Sequence, residues 1–180
     1  MRDNKVSFRT ISKKKTKEFE VLVKDNMKRA YFCALGMLGS HDSAMDVSQE
    51  AFIRAYRNFK TYDTKRSFFT WYYKILRNLC LNFIRDNKNR KKEFFFESRE
   101  DVVSRNNPEQ NLEEKEELKI LHDAINQLET GDREIIILRE FEGYSYEEIS
   151  EMLNIPAGTV MSRLFYARKK LAEKMKRLME

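Results

Sequence analysis

The sequence predicts an all-α protein: two small helical domains joined by an acidic linker, the C-terminal one with a helix-turn-helix. Three observations predict it. Five glycines and two prolines in 180 residues are too few for the punctuated turns of an all-β chain. Apolar residues recur at i, i+3 and i+4 over long stretches in both halves, which is the period of a helix with one buried face. Between those stretches, over residues 93–111, the period stops, breakers appear and the charge changes sign. Hydrophobic residues at 41% and charged residues at 36% give a globular chain with a heavily charged surface.

Residues 1–14 form a basic arm (Arg2, Lys5, Arg9, Lys13, Lys14) ahead of a helical domain spanning residues 15–92. Its first helix carries Phe19, Leu22, Val23, Met27, Ala30, Tyr31, Ala34, Leu35 and Leu38 at helical spacing, and Gly39 ends it. Asp42 or Ser43 can cap the second helix, whose stripe is Ala44, Val47, Ala51, Phe52, Ala55, Tyr56 and Phe59. Ser67 opens a third with Phe68, Trp71, Tyr72, Ile75, Leu76, Leu79, Phe83 and Ile84. The three stripes are expected to bury against each other.

The linker, residues 93–111, sets Glu93, Glu97, Glu100, Asp101 and Glu109 against Arg99 and Arg105, and adds Asn106, Asn107 and Pro108 as breakers. Its run Phe94, Phe95, Phe96 is expected to dock on a neighbour.

The second domain, residues 112–180, begins with Leu118, Leu121, Ile125 and Leu128 on one helix face. A shorter helix from about Asp132 to Glu142 turns Ile135, Ile136, Leu138 and Phe141 inward and stops at Gly143. Ser145 and Glu148 make a capping box for a brief helix with Ile149, Met152 and Leu153 as its apolar face. Pro156 is read at the first position of the last helix, with Gly158 allowing close approach to the preceding one. That last helix turns Val160, Leu164, Ala167, Leu171, Met175 and Leu178 inward.

A net charge of +6 is compatible with nucleic acid or an anionic membrane surface. Cys33 and Cys80 sit on apolar helical faces and read as buried, reduced thiols. His41 and His122 lie far apart without ligand spacing, so neither a metal site nor a cofactor is expected. No apolar run reaches transmembrane length, and no apolar stretch follows the basic N-terminus as in a signal peptide, so a cytoplasmic location is expected.

Three constellations carry function. Over Gly143–Lys170, a short capped helix, a turn and a longer basic helix form the layout of a helix-turn-helix. With Val160, Leu164 and Ala167 inward, Ser162, Phe165, Tyr166 and Lys169 point outward, flanked by Arg163, Arg168 and Lys170, where cations reach phosphates beside a major groove. The run Phe68-Phe69-Thr70-Trp71-Tyr72-Tyr73, followed by Lys74, Arg77, Asn78 and Arg85, is too aromatic for one core face and suits stacking on unpaired bases. Ordinary core aromatics beside a solvated basic stripe are the competing reading. Asp46, Gln49 and Glu50 share a polar helix side by i, i+3, i+4 spacing, which is either a solvated face or a partner surface.

Four stretches together resemble the extracytoplasmic-function (ECF) sigma factors of bacterial RNA polymerase: Asp46–Tyr56, Phe69–Ile75, Gly143–Ile149 and Ile155–Leu164, in the family's order and spacing from about Phe19 to Leu171. The resemblance implies that Asp46, Gln49, Glu50, Phe52 and Ile53 grip the clamp of the polymerase's largest subunit. It implies that Phe68, Phe69, Thr70, Trp71, Lys74, Arg77 and Asn78 melt and read the −10 promoter element. Arg139, Ser162, Arg163, Phe165, Tyr166, Arg168 and Lys169 would then contact the −35 element, and the acidic linker would thread the RNA channel. The implied partners are core RNA polymerase, promoter DNA and a membrane-bound anti-sigma factor, with no small-molecule substrate, no cofactor and no catalysis by this chain. Many family members carry basic residues where this chain has Met161 and Tyr166, so its −35 face has fewer cations than usual.

Two rivals are weighed against that reading. A stand-alone helix-turn-helix regulator would usually add a ligand or receiver domain, and the N-terminal helices show neither an acidic phosphorylation pocket nor a strand-rich sensor. A recombinase would need a nucleophile beside clustered arginines, whereas Ser7 and Ser12 lie in the basic arm.

Overall fold

The structure, a computed structural model, describes residues 13–93 and 112–180, with side chains over 15–87 and 116–180. The basic arm up to residue 12 and linker residues 94–111, including the Phe94–Phe96 run, lie outside the described residues. The described residues are helical, with no strand among them. In order they form α1 (Lys13–Leu38), α2 (His41–Asn58), a 3-10 turn (Phe59–Thr61), α3 (Phe68–Glu93), α4 (Leu112–Asn126), α5 (Thr130–Ile136), a π turn (Ile137–Phe141), α6 (Tyr146–Leu153) and α7 (Ala157–Met179).

Boundaries follow local chemistry. Gly39 ends α1 at φ +70°, in the left-handed region where a side chain is disfavoured. Ser40, rather than Asp42 or Ser43, caps α2: it holds extended backbone and its hydroxyl accepts from the Ser43 N–H. Ser67 precedes α3, its carbonyl accepting from the Trp71 N–H at 3.3 Å.

In the C-terminal half, α5 starts at Thr130, earlier than the apolar pattern implies, and passes into the π turn. The wider π turn shifts the register, and Phe141, expected inside, is 58% exposed. Leu118 and Leu178 likewise stay outside the core. Pro156 is the N-cap of α7 rather than its first helical residue, with extended ψ and a carbonyl that accepts from Thr159 and Val160. Gly158 meets nothing within 4 Å where a Cβ would stand, so it serves no close helix approach.

Most buried side chains form one cluster running from Phe19 to Ala167, across both halves. This corrects the expectation that α1–α3 bury their stripes only among themselves. Helix α3 is covered on two sides. Phe68 and Tyr72 pack toward Phe19, Tyr62 and Phe52, while Phe69 and Tyr73 meet Tyr144 and Glu134 from the C-terminal helices.

Candidate nucleic-acid and partner interfaces

The C-terminal surface is built on a short, well-capped helix. The Ser145 hydroxyl accepts from the Glu148 N–H at 3.2 Å, and the Glu148 carboxylate accepts from the Ser145 N–H at 2.8 Å, which is the expected capping box. Asn154 closes α6 in the left-handed conformation at φ 55°, and the Ser150 hydroxyl donates to the Ile155 carbonyl at 2.6 Å, fixing the turn. Helix α7 then buries Val160, Leu164 and Ala167.

Its opposite face carries Ser162, Arg163 and Lys169 exposed, with Phe165 at 65% and Tyr166 at 60% exposure, their rings edge to face at 5.4 Å. Met161 stands exposed beside them. The remaining cations are partly committed. Arg168 donates from Nε and Nη2 to Glu140 Oε1 at 2.8 and 2.6 Å, and Lys170 pairs with Asp132 at 2.6 Å. Arg139 donates to the Tyr144 carbonyl at 2.6 Å and lies over the Tyr146 ring.

On α2, Asp46 and Gln49 are exposed, Ile53 is 47% exposed and Glu50 pairs with Arg54 at 2.7 Å. Phe52 differs from the expectation of an accessible apolar contact. It is half-buried and stacks on Tyr72 with ring centroids 4.4 Å apart. Its ring holds α2 to α3 and supports the patch from beneath.

On α3, the aromatic run turns inward. Phe68 is buried and Phe69 is 2% exposed, so neither ring is accessible to a base in this arrangement. The run is divided between two neighbours: positions 68 and 72 face one while 69 and 73 face another, and of its five aromatics only Trp71 stays partly exposed. Trp71 is half-buried against Tyr62 and Phe68, Thr70 is half-buried, and Lys74 and Asn78 are exposed. Arg77 is spoken for, because its guanidinium grips Glu134 with Nε at 2.5 Å from Oε1 and Nη2 at 3.1 Å from Oε2. Burial alone would lower the pKa of Arg77, but the hydrogen bonds and charge of Glu134 outweigh it and hold the group above its ordinary value.

Sequence reasoning missed the carboxylates that hold these cations. Glu134 is 2% exposed on α5 and also accepts from Tyr73 Oη at 2.9 Å. Burial, then the nearby Glu134 charge, push the Tyr73 phenol well up, so it remains a donor. Glu142 pairs with Arg29, whose guanidinium carbon lies 4.4 Å from the Phe69 ring centre and 4.5 Å from that of Tyr144. The available signal was Glu134 leading directly into Ile135, Ile136, Ile137 and Leu138: a charge bordering an aliphatic run needs a buried partner.

Cys33 and Cys80 are free and buried. Burial pushes the Cys80 thiol up to about 12 and raises Cys33 as well, so both are protonated packing groups at neutral pH. Among the described residues no His, Cys, Asp and Glu cluster could hold a metal ion, and no helix is long and apolar enough to cross a membrane.

Comparison with known proteins matches the same two halves. The sigma-70 region 2 family model matches residues 22–90, and the sigma-70 region 4 model matches residues 118–171. The ECF RNA polymerase sigma-E factor of Haemophilus influenzae is 35% identical over 148 residues, 78% of each chain. That of Escherichia coli K12 is 38% identical over 142 residues, 74% of each chain. Among solved structures, the sigma factor RpoE of Bartonella quintana, in complex with the anti-sigma factor NepR, superposes with a TM-score of 0.76 at 25% identity. That match covers 89% of this chain and 98% of the other.

Proposed function

This chain belongs to the extracytoplasmic-function sigma factors of RNA polymerase, and from that premise we propose which of its surfaces carry each step of promoter recognition. A sigma factor joins core RNA polymerase and directs it to promoter DNA. Here the docking face is Asp46, Gln49, Glu50 and Ile53, whose polar groups would set register on the clamp of the largest subunit while Ile53 contributes buried area. The −10 strand would meet the accessible edge of α3: Thr70, Trp71, Lys74 and Asn78, joined by Phe69 and Arg77 once the C-terminal helices move away. Phe68 is assigned to the core.

The −35 element would be read by Ser162, Phe165 and Tyr166, with Arg163 and Lys169 on phosphates and Arg139 and Arg168 at the flank. The single observation that carries this reading is the division of α7: Val160, Leu164 and Ala167 are buried while Ser162, Phe165, Tyr166 and Lys169 are exposed on the other side. The chain acts as a cytoplasmic initiation factor with no catalytic step of its own. An anti-sigma protein is its proposed restraint, as the solved RpoE is held by NepR.

Run-off transcription with purified bacterial core enzyme on source-genome fragments tests the assignment. Promoter-specific transcripts should require the protein and vanish for Asp46→Lys/Glu50→Lys, whose positions on the surface of α2 leave the core intact. Tight operator binding by the protein alone, with no transcripts from the mixture, would establish a stand-alone regulator instead.

A further inference from the structure

We propose that Met161 joins Phe165 and Tyr166 in an apolar patch on α7 that reads the −35 element through the C5-methyl groups of thymine. The proposal rests on the assignment of α7 to the −35 element and names what that face recognises.

Met161, Ser162, Phe165 and Tyr166 are helical neighbours, because residues three and four apart share one side of a helix. The three large side chains are all more than half exposed, Met161 at 55%, Phe165 at 65% and Tyr166 at 60%. The edge-to-face contact of the two rings joins them into one surface, opposite buried Leu164 and Ala167. A patch of large apolar groups left in water marks a contact site.

Three observations make DNA its occupant and thymine its ligand. The first is charge. Arg163 stands beyond Tyr166, Arg168 beyond Met161 and Lys169 one turn after Phe165, all exposed. Cations around an apolar centre suit phosphates at the rims of a groove and a base edge in its middle. The second is position. Met161 and Ser162 lie in the second turn of a helix that starts at Ala157, and this is the end that meets bases in a helix-turn-helix.

The third is a poverty of donors. Met161 and Phe165 have none, and the Ser162 hydroxyl donates back to the Thr159 carbonyl at 3.1 Å. Guanine offers two acceptors in the major groove and is met by forked cations, whereas thymine offers a methyl group that needs an apolar partner. Cytosine in the same place would bring no methyl, and its amino group would give up water against Phe165.

The test uses holoenzyme, assembled from the full-length chain and bacterial core enzyme, on a promoter duplex found by run-off. The duplex is made in four forms: unmodified, with deoxyuridine for each −35 thymine, with deoxyuridine in the spacer only, and with a scrambled −35 element. Deoxyuridine removes the methyl and keeps the pairing edge. Wild type should lose about fourfold in affinity for each methyl it contacts, the worth of one buried methyl group, and nothing for the spacer change. Met161→Ala and Phe165→Ala should each bind the unmodified duplex more weakly and bring the thymine-to-uracil ratio toward one. Tyr166→Phe, which keeps the ring, should retain the ratio. Circular dichroism of each variant should match wild type, because all three positions are exposed.

Equal binding of thymine and uracil duplexes by wild type, with scrambling still harmful, would overturn methyl reading and leave α7 on the −35 element. A uracil penalty unchanged in Met161→Ala, Phe165→Ala and the double variant would trace to duplex shape and overturn the patch. If scrambling costs nothing, the −35 assignment fails and this proposal with it.

Discussion

Helices α3 and α7 use the same residue classes in opposite ways. In α3 the aromatics Phe68, Phe69, Tyr72 and Tyr73 are buried, and the polar residues Lys74 and Asn78 face outward. In α7 aliphatic residues fill the core side, and the aromatics Phe165 and Tyr166 stand exposed beside Arg163 and Lys169. The difference is how many neighbours each helix has to satisfy. Helix α3 lies between α1 and α2 on one side and the C-terminal helices on the other, so two adjacent stripes go under. Helix α7 buries one stripe, and among the described residues Phe165 and Tyr166 on its outer side stay exposed. Aromatic content alone therefore says nothing about base stacking. What decides is whether the ring's own stripe already has a partner.

The sharpest way to break that comparison is a matched pair of truncations. Tyr72 is fully buried, stacks on Phe52 and donates to the Ser48 carbonyl at 3.2 Å. Tyr72→Ala should cost about 3–5 kcal/mol, as large buried aromatics do. Phe165→Ala should leave stability within about 0.5 kcal/mol of wild type, as an exposed substitution, while altering −35 choice in a promoter-library assay. Urea denaturation of both proteins checks the contrast. A Phe165→Ala protein as unstable as Tyr72→Ala would erase it.

Trp71 sharpens the same contrast, because it stands between the two extremes. It is half-buried, with tilted contacts to Tyr62 at 5.3 Å and Phe68 at 5.7 Å. Trp71→Ala should cost about 2 kcal/mol, less than the full aromatic penalty because part of the ring already meets water. A chemical denaturation midpoint close to that of Tyr72→Ala would show the indole to be a core residue after all.

Much of this fold was legible in the sequence, and the reasons are local. The period of α7 placed Val160, Leu164 and Ala167 inside because a helix in contact on one side repeats its pattern cleanly. The capping box at Ser145 and Glu148 was readable because both partners lie within one turn. What could not be read depends on separated segments. The second buried face of α3 exists because of Glu134, Tyr144 and Arg29, remote in sequence from Phe69 and Arg77. Phe141 went astray for a different reason: a π turn adds a residue that no period of apolar residues announces. Among the candidate site residues, orientation on α7 was legible, whereas the commitment of Arg77, Arg139 and Arg168 to partners within the chain was not.

The cap of the reading unit gives a smaller effect. Ser145→Ala removes one hydrogen-bond acceptor from the start of α6 and leaves the Glu148 N–H without it. The loss should be about 1 kcal/mol, a lowered melting temperature with the reading face itself unchanged. An unchanged melting temperature would mean that α6 is held by Ile149 and Met152 packing alone.

The smallest effect on stability is at Arg168, and it is the most telling about how α7 uses its cations. Arg168 and Glu140 are both about half exposed, so their pair contributes little to folding. Its importance is at the DNA. To reach a phosphate, Arg168 must turn from Glu140, and a carboxylate left nearby opposes the approach. Arg168→Ala should therefore leave the melting temperature near that of wild type, weaken holoenzyme binding across promoters and lower the slope of log affinity against log salt by about one unit. In a Glu140→Gln background, the affinity lost on removing Arg168 should be smaller, because no carboxylate remains to face the phosphate. Salt titrations of the four proteins, wild type, both single variants and the double, measure that coupling. Equal losses in both backgrounds, with an unchanged salt slope, would mean that Arg168 stays on Glu140 in the complex. The phosphate contacts of α7 would then fall to Arg163 and Lys169.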